Sequence, residues 1–146
     1  MARPNPGLTF SLVCDLGFAV GLMTHDIRRI GSLVWIAEET FDEVPTLEQV
    51  HRLNRWRWPV FFPLSAAIRR KIATPLGMVA IPPALQQFPV MRSGNKKAGW
   101  MACTRKGGAT KVLGPATDPS LPIYMVVNDT RLKEMIVSGW RPADRW

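Results

Sequence analysis

Between Gln49 and Thr117 the chain carries no Asp or Glu, although twelve Arg or Lys residues fall in that span. Such a stretch has no counter-charge of its own along the sequence, so its field is open to partners of the opposite sign. Cysteine is nearly as scarce. Cys14 and Cys103 are the only two, which excludes a disulfide framework and fits a cytoplasmic protein with reduced thiols. No apolar run reaches the ~18 residues that a membrane-crossing helix needs, so no membrane association is expected. Residues 8–23, preceded by Arg3, have the outline of a signal peptide. Asp15 interrupts the run and no small-x-small cleavage site follows, so the segment reads as part of the folded chain.

The shortage extends to the residues that do chemistry. His25 and His51 are the only histidines, and neither stands in metal-ligand spacing with Cys or Asp. Cys14 beside Asp15, with His25 further on, can be drawn as a nucleophile and base. A small apolar strand residue accounts for Cys14 more simply. Gly107-Gly108, flanked by Lys106 and Lys111, matches no phosphate-loop pattern and reads as a hairpin turn. Glu38-Glu39 and Asp42-Glu43 lack the spacing of a calcium loop and read as a solvated acidic stretch. No enzymatic activity, metal or cofactor is expected.

What is present is enough for one domain of 146 residues with a packed core, since 47% of the chain is apolar and folding should bury roughly 70% of the unfolded surface. Leu8, Phe10 and Leu12 alternate with polar residues, and Phe18, Val20 and Leu22 repeat the pattern after the turn residues Asp15-Leu16-Gly17. This predicts an opening hairpin. A third, more buried strand is predicted over residues 32–37. Thr46 followed by Gln49 is a capping-box pattern and predicts a short helix. Ser65 is the expected cap of a second helix that Pro75 ends. Strands are expected over residues 77–81, 88–91 and 123–127, with a second hairpin from residues 100–104 to 111–113. A last helix should start at Asn128 or Asp129, bury Leu132, Met135 and Ile136, and stop at Gly139. Thirteen prolines and eleven glycines divide the chain into short pieces. The expected fold is therefore α+β, mainly β: a strongly bent antiparallel sheet or partly open barrel with two or three short peripheral helices.

Charge is divided along the sequence. Residues 1–50 hold three bases against seven acids, and residues 51–146 hold sixteen bases against four. Within the basic part, residues 52–62 alternate Arg with Trp, a composition that can stack bases and neutralise phosphates. The same residues can equally be core tryptophans with arginines lying across them. The candidate partner-binding residues are Arg55, Trp56, Arg57, Arg69, Arg70, Lys71, Lys96, Lys97, Arg105 and Lys106, facing either an acidic protein surface or nucleic acid.

Leu8-Thr9-Phe10, Gly17-Phe18-Ala19-Val20-Gly21, Thr40-Phe41-Asp42-Glu43-Val44-Pro45, Trp58-Pro59, the stretch from Gly77 to Pro82 and the stretch from Phe88 to Arg92 form a series of motifs. Through them the chain resembles the immunity protein 26 family of bacterial polymorphic-toxin systems, over residues 8–92; the rest matches by pattern only. Trp58-Pro59 stands earlier, relative to the glycine strand, than in that family. The resemblance implies a non-enzymatic, largely β protein that neutralises a toxin by direct binding. A nuclease toxin would call for an acidic inhibitor, so the basic part implies a toxin that is acidic at its contact face or is not a nuclease. The alternative is a nucleic-acid-binding accessory protein that uses the basic, Trp-rich residues 52–111.

Overall fold

A computed structural model describes residues 3–146. It is mainly β, with two antiparallel sheets and four short helices, one helix more than the sequence suggests. The larger sheet has the order β4-β3-β2-β1-β5, with β1 at Leu8–Cys14, β2 at Gly17–Ile27, β3 at Gly31–Phe41, β4 at Trp56–Phe62 and β5 at Ala73–Met78. The smaller sheet runs β6 (Met91–Asn95), β7 (Gly99–Lys106), β8 (Ala109–Pro115).

The larger sheet is strongly bent and remains open. Phe10 on β1 and Phe62 on β4 stack with ring centroids 6.0 Å apart, although β2 and β3 lie between their strands. In a flat sheet three strand spacings would separate them by about 14 Å. The bend needs room at its centre, and Gly21 supplies it: a Cβ there would stand 2.3 Å from Cζ of Phe10. The concave face buries Leu12, Val34, Ile36, Trp58 and Val60 beneath α2 (Leu64–Arg69) and α4 (Asp129–Val137). The opposite face packs Val20 and Ala37 under α1 (Leu47–His51), and sets Leu33 and Phe61 against Met91 and Cys103 of the smaller sheet.

Local chemistry explains most of the elements. Thr46 and Gln49 form both bonds of the capping box, at 2.9 and 3.2 Å, and Asn128 caps α4 through Arg131 N–H at 2.8 Å. Gly107 and Gly108 both have positive φ, 61° and 81°, as a two-residue hairpin turn demands.

Four expectations need correction. Ser65 does not cap α2: the N-cap is Pro63, with no side-chain bond, and the helix ends at Arg69, well before Pro75. Pro75 lies inside β5, which an edge strand tolerates because one row of its amides has no partner strand. The strand expected over residues 77–81 is therefore displaced to Ala73–Met78, and the one over 88–91 to Met91–Asn95. Residues 123–127 form no full strand. Tyr124 N–H donates to Arg92 O, and Phe61 N–H to Met125 O, so the segment makes one bridge to each sheet and a ladder with neither.

Arg92 holds this junction. Its side chain is fully buried and donates to the carbonyl oxygens of Leu121, Arg145 and Pro142. Among the described residues no carboxylate pairs with it. Burial lowers its pKa, and the neighbouring Arg145 charge lowers it further.

Candidate functional site

β4 begins the basic, Trp-rich segment, and a β-bulge sets its geometry. From the Trp35–Pro59 pair to the Ala37–Trp56 pair, β3 advances two residues while β4 advances three. The extra residue breaks the alternation of faces. Trp56 and Trp58, which a regular strand would place on one side, fall into different clusters on opposite faces. Trp58 is only 2% exposed. Its indole donates to Trp140 O at 3.0 Å and its ring meets that of Trp140 edge-on at 5.2 Å, so it has no face to offer a nucleic-acid base. Arg57 donates to Ile136 O at 3.1 Å and to Glu38 O at 3.0 Å, tying α4 to β3. Arg55 stays exposed.

Beside this half of β4 lies an open groove of about 900 Å³. Trp35, Trp56, Trp58 and Trp140 line it together with Pro59 and Pro122. The indole N–H groups of Trp35 and Trp56 are buried without an acceptor among the described residues, a state that buried polar groups seldom keep. Sequence reasoning missed Trp140. Its position follows from Gly139, whose φ of 69° lets Trp140 N–H return to Met135 O at 3.0 Å. This closes α4 in a Schellman turn that points the following apolar residue at the core.

The other candidate residues do not all meet. Arg69, Arg70 and Lys71 are exposed at the end of α2. Lys96 and Lys97 occupy the β6–β7 turn, while Arg105 and Lys106 stand at the far end of β7, about 23 Å away along an eight-residue strand. Arg105 is engaged locally with Thr110 and Gly108 O. Of the twelve cations between Gln49 and Thr117, only Arg52 has a carboxylate within ion-pair distance among the described residues, that of Glu48.

Cys14 closes β1 while His25 sits eight residues along β2 from the turn, so the two lie at opposite ends of the hairpin. His25 bonds Thr24 Oγ1 at 2.9 Å and Gln86 O at 3.0 Å, and burial lowers its pKa despite the Gln86 bond. Burial pushes the Cys103 thiol up. Among the described residues no three His, Cys, Asp or Glu side chains gather as metal ligands, and no helix is long and apolar enough to cross a membrane. No family model, curated protein or solved structure matches this chain.

Proposed function

We propose that this protein is a non-enzymatic, cytoplasmic binding module of the immunity-protein kind, which neutralises a protein partner by direct contact. The observation that carries the reading is the indole-lined groove beside β4. Its wall is mainly indole and proline and it lies between fixed elements, so a side chain or loop of a partner would find an anchor pocket there. The unpaired cations give the sign of that partner. Arg57 lines the groove, Arg55 is exposed two residues before it, and Glu38 is the one acid of the lining; this excess of positive charge favours a protein whose contact face is acidic. In a toxin system this means a toxin with an acidic contact face, or one that is not a nuclease. The burial of Trp58 speaks against residues 52–62 as a base-stacking strip and favours the protein reading there.

The test is affinity capture from the native host, followed by titration calorimetry with the purified partner. One acidic protein should bind the wild-type chain at 1:1 stoichiometry. Arg55→Glu and Trp35→Ala should each weaken binding by about tenfold or more, and expression of the chain should relieve any toxicity of that partner. If neither substitution alters the affinity of the captured protein, the groove is not its docking site and the reading fails.

A further inference from the structure

A second cavity lies where the β6–β7 turn meets the closing 3-10 turn, Pro142–Arg145; that turn also borders the groove through Pro142 and Ala143, but the two cavities share no lining residue. We propose that this corner binds a nucleoside phosphate, either a free nucleotide or the terminal residue of a single strand. Lys96, Lys97 and Arg145 border a cavity of about 480 Å³ whose aromatic wall is Trp100. That size falls within the range of small-molecule sites, about 300–1,000 Å³.

Charge argues for the phosphate. None of the three cations has a carboxylate partner among the described residues. The nearest acid in sequence, Asp144, is turned the other way: it accepts from Arg141 N–H at 2.9 Å and lies 3.8 Å from the Arg141 guanidinium. Arg92 adds a fourth positive charge from the interior, with its guanidinium carbon 3.9 Å from the Trp100 ring centroid and 5.2 Å from that of Trp146. An indole face is normally negative and repels an anion; a buried cation against the ring offsets that field. Several cations without an acid suit a dianion, and a phosphate monoester is close to one at neutral pH.

The aromatic groups argue for the base. Trp100 and Trp146 lie within 10° of parallel, with centroids 6.4 Å apart, and Trp146 is 38% exposed. Such a platform stacks any nucleobase without regard to sequence. Trp100 Nε1 is buried without an acceptor among the described residues, so the ring is held by packing and by Arg92.

Tryptophan emission at low salt is the readout, with adenosine 5′-monophosphate, adenosine, inorganic phosphate and a short oligothymidine as probes. The monophosphate or the oligothymidine should quench emission saturably, while adenosine and phosphate alone should bind about tenfold more weakly or less. The stronger of the two ligands tells whether a free nucleotide or a strand end is preferred. Lys96→Glu/Lys97→Glu should weaken binding about tenfold or more, whereas Lys106→Glu, at the other end of β7, should leave it unchanged. The proposal is overturned if neither ligand gives a saturable response, or if the Lys106 substitution costs as much as the Lys96/Lys97 pair. Trp35→Ala, in the β4 groove, should not alter this binding, so failure here and failure of the protein-binding reading are separate results.

Discussion

His25 shows how one side chain ties pH to the fold. Its ring bridges β2 to α3 (Pro83–Gln86) through Gln86 O and meets the Phe88 ring edge-on at 5.4 Å. Burial disfavours the imidazolium, so the folded pKa lies below the ordinary value near 6.5. Above about pH 6.5 the ring is neutral in both folded and unfolded chains and adds no pH dependence. As pH falls below that value the unfolded chain takes up the proton first, and stability declines until the folded pKa is passed. Urea denaturation between about pH 7.5 and about pH 5 should show the midpoint fall on acidification, and His25→Asn should flatten that part of the profile. An unchanged profile in the variant would mean that the ring titrates alike in both states.

At the scale of elements, Lys71 is a residue out of keeping with its position. It follows the C-cap of α2 with φ of 61°, and Ile72 N–H returns to Ala67 O at 2.8 Å while Lys71 N–H returns to Ile68 O at 3.0 Å. This is the turn that glycine makes at Gly139 after α4, formed here by a side chain that dislikes the left-handed region by about 1 kcal/mol or more. Lys71→Gly should therefore stabilise the protein by about 0.5–1 kcal/mol in chemical denaturation, after allowance for the freer unfolded chain. A loss of stability would mean that the lysine makes a contact worth more than the strain. The comparison also marks what a sequence can convey about elements. α1 and α4 were legible because their caps are local: Thr46 with Gln49, Asn128, then Gly139. α2 was misread because Ser65 has a capping side chain, while the helix actually starts from Pro63 and stops at a lysine that no local pattern identifies. β5 was displaced because proline argues against a strand unless the strand is an edge, and edge position is a property of the whole sheet. The bulge in β4 was invisible for the same reason. It is defined against β3, and it alone decides that Trp56 and Trp58 part company, so the aromatic run was legible but its division between two faces was not.

Across the whole molecule the charge imbalance of the sequence persists after folding. Eleven of the twelve cations between Gln49 and Thr117 have no ion-pair partner among the described residues, and the formal net charge is +8. The four ion pairs among the described residues are exposed, three of them between residues three or four apart on the chain, and pairs of that kind contribute little. Repulsion among the cations, including the buried Arg92 against Arg145, thus acts on the compact state with little to oppose it. Added salt screens it, because the Debye length shortens to about 10 Å at 0.1 M. Thermal unfolding followed by circular dichroism should give a Tm that rises by a few degrees, ~3 °C, between low and moderate sodium chloride. A partner that covers the cations with acidic groups should raise Tm by mass action and make that salt dependence weaken or reverse, since salt would then loosen the complex. A chain whose Tm falls with salt even in isolation would have its charges balanced in the folded state, and the attraction invoked for an acidic partner would lose its source.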